Sequence, residues 1–346
     1  MPLPVNAFLN EKALIVLLIL AVAGGLFAQS FSGSVETGAK IVIDDGASIA
    51  ANDNDGHAVK YNLGFGNSGE DWGVNISANA NVGNDGGTNG VNVGDMNGWV
   101  KFADIFTLSA GKGRGGNWQA TGDVFDDGPG GSNAGARLNI APIPGLDFGF
   151  VFGYPNHGVK AAKIENFFQE LGFGAKYDAG IFVAGTAVEL FSEESDGYSG
   201  LSANWWIDAK IPLSFFTIHL DAYIKDLTEK GPGKEIAVGE KFNGSVAGLD
   251  WYVKAKEFLV PDPLKVELSA GVGYGIPISD KASVDLGADV GATYKDELGD
   301  IWWDVSATLN YTFNGNVSTW VEFDLDGTVD PSKVTPSLQW YIKYSF

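Results

Sequence analysis

Apolar and polar residues alternate with a period of two over long stretches of this chain. Trp72, Val74, Ile76, Ala78, Ala80 and Val82 are interleaved with Asp71, Gly73, Asn75, Ser77, Asn79 and Asn81. Leu201, Ala203, Trp205, Ile207, Ala209 and Ile211 alternate with Ser202, Asn204, Trp206, Asp208 and Lys210. Val284 to Tyr294 carries Asp285 and Asp289 opposite its apolar row, and Asp304 opens a matching stretch that runs to Phe313. Successive side chains of a strand point to opposite faces, so each segment presents one apolar and one polar face. Their lengths suit the ~9–11 residues of a tilted membrane strand. Strands buried on both faces read as unbroken apolar runs, and nearly all of these stay half polar, which argues against a two-layer sandwich.

Candidate strands fall at 33–43, 57–65, 71–82, 97–102, 106–111, 134–141, 146–152, 169–177, 181–190, 200–211, 215–225, 246–256, 264–274, 282–294, 301–313, 317–325 and 334–346. That is an odd number, whereas single-chain bacterial barrels have an even one. Either a strand hides in Gly233–Phe242, where Ile236 and Val238 start an alternation, or a weak early segment is loop. The predicted fold is all-β, a transmembrane antiparallel β-barrel of 16 to 18 strands. Short connections at Ala103-Asp104, Ile143-Pro144-Gly145, Ile211-Pro212-Leu213 and Asn314-Gly315-Asn316 suit periplasmic turns. The stretches 44–57, 83–96, 112–133, 153–168 and 226–245 suit longer extracellular loops. Aromatic residues gather at strand ends, as at Phe148–Phe152, Trp302-Trp303 and Tyr311–Phe313, where rings with polar tips fit a membrane interface.

Composition agrees with this picture. Glycine supplies 48 of 346 residues, about twice its usual ~7 % share, while aromatics are plentiful, a mixture that suits turn-rich β structure and not disorder. Cysteine is absent, which excludes disulfide scaffolds and thiol chemistry. A net charge of -21 makes a polyanionic nucleic acid an unfavourable partner. Near the N-terminus Lys12 precedes the apolar run Ala13–Leu26, too short for a spanning helix of ~20 residues. With the small-residue site that follows, residues 1–28 read as a cleaved signal peptide and 29–346 as one barrel domain.

The final stretch Ser337–Phe346 places Leu338, Trp340, Ile342, Tyr344 and Phe346 on one face and Ser337, Gln339, Tyr341, Lys343 and Ser345 on the other. It resembles the C-terminal strand of Gram-negative outer-membrane β-barrels. That resemblance implies that Trp340, Ile342, Tyr344 and Phe346 form the signal read by the barrel-assembly machinery. Overall the chain resembles bacterial porins, with a further likeness to spirochaete porin-like proteins at Leu26-Phe27-Ala28-Gln29. Localisation in the outer membrane, contact with its lipid and a homotrimer are what the porin resemblance implies.

At this strand number side chains cannot fill a barrel, so the interior holds water or a plug. Asp208, Asp285, Asp289, Asp304, Glu322 and Asp324 occupy alternate positions expected to face that lumen. The stretch Lys112–Ser132 resembles, in its position as the third long loop, the general-porin loop that folds inward. Asp123, Asp126 and Asp127 would then face Arg114 and Arg137, the two arginines of the chain, across a constriction. The other reading of this stretch is a solvated external loop.

Other motifs carry less. His219 and Asp221 share a strand face, but no nucleophile accompanies them, so no enzymatic activity is expected. His57 and His157 lack further ligands at metal-binding spacing, and no metal or cofactor is expected. Gly111, Gly113 and Gly116 match a phosphate-loop pattern without the helix it requires. Lys160–Leu171 has apolar residues at helical spacing, for a short loop helix or the start of a strand. The expected function is an outer-membrane pore for passive diffusion of small hydrophilic solutes and ions, with cations preferred. The alternatives are a surface adhesin or ligand-binding barrel without an open channel, and a hydrophobic-ligand transporter.

Overall fold

The computed structural model describes residues 30–43, 46–51, 59–82, 88–112, 118, 120, 124–125, 135–153, 170–195, 198–225, 227, 234–260, 263–295, 297–329 and 332–346. The segments read as a signal peptide and as a loop helix lie outside them, apart from the start of a strand at Glu170. The strands are β1 (Ser30–Ile43), β2 (Ala47–Ala51), β3 (Val59–Ser68), β4 (Trp72–Val82), β5 (Thr88–Phe102), β6 (Phe106–Lys112), β7 (Gly135–Ile143), β8 (Leu146–Gly153), β9 (Glu170–Asp178) and β10 (Val183–Ser195). They continue as β11 (Tyr198–Pro212), β12 (Thr217–Lys225), β13 (Glu235–Val246), β14 (Leu249–Val260), β15 (Lys265–Ser279), β16 (Ala282–Lys295), β17 (Glu297–Asn314), β18 (Val317–Thr328) and β19 (Lys333–Ser345).

From β3 on, each strand pairs antiparallel with the next along the chain, β1 pairs with both β2 and β3, and β1 pairs with β19 to close the ring. Strands β2 and β3 lie end to end along one flank of β1, so the barrel has eighteen staves. The even number comes from β13, inside the stretch where the alternation was incomplete. Strand β5 also begins earlier than the periodicity suggested, taking in part of the expected loop 83–96. Register shifts opposite Ser77 and Asn81 explain this, since an extra residue moves every later side chain to the other face. The Asp95 amide there donates to Ser77 Oγ at 2.6 Å.

Closure leaves no sheet edge, so the strand backbones satisfy one another without water. At the seam, Gly33 N donates to Phe346 O at 2.9 Å and Phe346 N to Gly33 O at 3.0 Å. The Phe346 ring lies over Gly33, where a Cβ would come within 2.5 Å of Cζ, and it also meets Phe31 with centroids 5.7 Å apart. Gly33→Val should therefore displace this ring and destabilise the seam by ~1–3 kcal/mol, lowering the temperature at which the heat-modifiable band converts on gels. An unchanged conversion temperature would show that the ring does not hold the seam.

All connections at one end of the barrel are short, among them 69–71, 144–145, 247–248 and 315–316. The hairpin at Ala247-Gly248 has φ of 52° and 82°, the left-handed pair that a tight turn between twisted strands requires. The other end carries 113–134, 154–169 and 226–234, although later connections there, at 296 and 329–332, are short as well. Aromatic pairs mark the short-turn end: Phe102–Phe106, Tyr177–Phe182, Phe216–Trp251, Tyr311–Phe313 and Tyr344–Phe346.

Partners directly opposite across strands share a face, which fixes inside and outside. Phe242, Val253, Ala270, Val290 and Trp303 form one outer row over five strands. Leu220, Val253, Leu268, Val272, Leu286, Val290, Val305 and Leu309 are all exposed on this face, an apolar belt suited to lipid. Glu240 and Glu257 interrupt it toward the loop end. On β19, Leu338, Trp340, Tyr344 and Phe346 are exposed outward, with Ile342 in the same row, while Ser337, Gln339 and Tyr341 are buried on the inner side. The inner face carries glycine, polar and charged residues.

Candidate functional site

Trp118, Ala120, Val124 and Phe125, the described residues of the connection between β6 and β7, lie against the inner wall of the barrel. Trp118 is 1 % exposed and rests on inner-wall glycines. A Cβ at Gly174 would lie 2.2 Å from the indole, and one at Gly185 would lie 2.0 Å from the Trp118 carbonyl oxygen. Val151 and Ala187 complete this seat. Further along, Val124 and Phe125 pack against Trp206, Tyr223 and Ala237, with Phe125 edge-on to Tyr223 at 4.7 Å. Gly239 makes room there, since a Cβ would lie 2.5 Å from Val124 Cγ1.

Two carboxylates fasten the loop to the wall. Asp208 and Asp221 are directly opposite on β11 and β12 and are 4 % and 5 % exposed. Asp208 Oδ1 accepts from Ala120 N at 2.9 Å, and Asp221 Oδ2 accepts from Phe125 N at 3.2 Å. Losing either loop N–H would leave a buried carboxyl oxygen without that donor, which favours the docked position of these loop residues. Arg137, on β7, is buried with its guanidinium 4.3 Å from the Trp118 ring centroid and its Nε donating to Asn139 Oδ1. Arg114, Asp123, Asp126 and Asp127 lie outside the described residues.

Two further groups of charge stand out on the inner face. Lys210, His219, Lys241 and Lys254 are consecutive partners across β11 to β14 on the inner face. Lys256 lies one row away, and His219 Nε2 is 2.7 Å from Asn243 Oδ1. Asp289, Asp304 and Asp326 are consecutive partners across β16 to β18. Asp285 and Glu322 both lie opposite Thr308, and Asp324 lies opposite Ser306. Asp285 accepts from Asn310 Nδ2 at 2.6 Å. The two groups of unlike charge lie side by side on the inner wall with β15 between them, and a low-dielectric wall focuses their field into the lumen.

The lysine row is not readable from the sequence, because its members sit on separate strands that only the register aligns. Sequence reasoning also missed the loop contacts. Their trace in the sequence was Trp206, an aromatic in an otherwise polar row. His219 and Asp221 share the inner face, but their partners are an amide side chain and a loop N–H.

No protein-family model matches the chain, and neither does any curated protein. Solved structures do. OpdL of Pseudomonas aeruginosa superposes with a TM-score of 0.58 at 10 % identity, covering 92 % of this chain and 98 % of that one. OccK2 (OpdF) of the same organism gives 0.57 at 10 % identity, with 92 % and 98 % covered. OmpF of Salmonella typhi, solved with daunomycin, gives 0.51 at 11 % identity, with 92 % and 97 % covered. The fold is that of outer-membrane porins. At such low identity the likeness concerns the barrel alone. Leu26 to Gln29, where the sequence resembles spirochaete proteins, lies outside the described residues.

Proposed function

We propose that this protein is an outer-membrane pore for passive diffusion of small hydrophilic solutes and ions, with a modest preference for cations. The observation that carries the reading is the inner wall: eighteen staves enclose more space than wall side chains fill. The short-turn end would face the periplasm and the loop end the exterior. The homotrimer and recognition by the barrel-assembly machinery belong to the same proposal, which assigns no catalysis to His219 or Asp221.

Cation preference follows from the acidic row on β16 to β18 together with the net charge of -21, and the lysine row keeps it modest. Reversal potentials in planar bilayers test it. Replacing Asp289, Asp304 and Asp324 together with Asn should lower the K⁺ over Cl⁻ permeability ratio. The effect should shrink in ~1 M salt, where the Debye length is ~3 Å. Anion preference in the unaltered protein would overturn the cation assignment, and absence of any steady conductance would favour the anchored adhesin.

A further inference from the structure

Between the two charged rows, near the short-turn end, the wall holds a cavity of about 700 Å³. Lys241 and Asn243 of β13, Asp250 and Tyr252 of β14 and Asp289 of β16 line it. Its floor is bare backbone, with Gly271 opposite Asp289 and Gly273 opposite Gly287. A Cβ at Gly271 would lie 2.0 Å from Asp289 Oδ1 and 2.5 Å from Tyr252 Cε1, so the floor has to be glycine for those side chains to lie across it. The Tyr252 hydroxyl donates to Asp289 Oδ1 at 2.6 Å, and Lys241 Nζ stands 5.7 Å from the Tyr252 ring centroid. A cation and an anion thus flank one aromatic ring above a flat floor.

We propose that this cavity is a subsite for small zwitterionic solutes, of the amino-acid and short-peptide class, with the carboxylate toward Lys241 and the ammonium toward Asp289. The inference rests on the pore reading and adds a substrate class to it. Lys254 beside Lys241 strengthens the positive side, and Asp304 beside Asp289 strengthens the negative side. A simple anion meets Asp250 and Asp289 as well as the lysine, and a simple cation meets the lysine as well as the acids. A solute carrying both charges gains at both ends, and an uncharged one gains at neither, which makes the site discriminating.

The test uses purified full-length protein in planar bilayers at ~0.1 M KCl, where the Debye length is ~10 Å. Glycylglycine is the probe and triethylene glycol the uncharged comparator. Glycylglycine should reduce single-channel current in a saturable manner, and triethylene glycol should not saturate. Lys241→Gln and Asp289→Asn, both close in shape to the native residues, should each raise the half-saturating glycylglycine concentration about two- to fivefold, the range of partly exposed ion pairs. Heat-modifiable migration confirms that each variant is folded. An open channel that responds alike to both solutes, or variants that respond like the parent, would overturn the subsite and leave the pore standing. A protein that conducts no KCl would overturn the pore reading, and the subsite with it.

Discussion

Gly174→Ala is expected to loosen the inward loop and give the pore a second, larger conductance level. The new methyl would stand 2.2 Å from Cδ2 and Cε3 of Trp118, whose seat against Val151 and Ala187 is already filled. Overpacking of this kind costs ~1–3 kcal/mol. Against it stand the bonds to Asp208 and Asp221, at ~1.5–3 kcal/mol each, and the Arg137–indole contact, at ~0.5–2 kcal/mol. The single substitution therefore brings the docked and released loop closer in energy without emptying the docked state. Currents should switch between two levels. Adding Asp221→Asn replaces the carboxyl acceptor at Phe125 N with a weaker amide acceptor, and each further ~1.4 kcal/mol shifts the ratio of levels about tenfold. The double variant should occupy the larger level most of the time. One unchanged level in both proteins would mean that the loop does not limit the pore.

The barrel was legible in the sequence because a lipid-facing row tolerates few exceptions, so period-two alternation survives along most strands. It failed where that rule was locally broken. In β13 the outer row Ile236, Val238, Glu240 and Phe242 is interrupted by a carboxylate, while the inner row Glu235, Ala237, Gly239 and Lys241 includes apolar Ala237, so neither face reads cleanly. In β5 the register shifts reverse the pattern partway. The inner wall was legible as positions but not as an arrangement. Lys210, Lys241 and Lys254 are far apart in sequence and become neighbours through strand register alone. Glycines at 174, 185 and 239 look like any others in a glycine-rich chain until Trp118 and Val124 are seen resting on two of them and the Trp118 carbonyl on the third. Packing of a loop against a wall leaves no periodicity to detect.

Whether the two faces are correctly assigned is tested by moving a charge one residue along β17. Val305 lies on the outer face, 45 % exposed, within the row from Ile301 to Phe313. Val305→Arg should destabilise the barrel by ~2–4 kcal/mol if that row crosses the hydrocarbon core near its middle, where a guanidinium has neither water nor a counter-charge. Ser306 points inward, opposite Gly287 on β16 and Asp324 on β18. The glycine leaves room and the carboxylate offers a partner, so Ser306→Arg should change stability by no more than ~1 kcal/mol, the range of an exposed ion pair. Denaturant titration of folding into lipid vesicles, followed by tryptophan fluorescence, separates the outcomes. A difference between the variants of several-fold in the folding equilibrium or more places lipid on the Val305 side. Equal losses at both positions would mean that the Val305 side does not face the hydrocarbon, and the charged rows assigned to the lumen would lose their place in the pore.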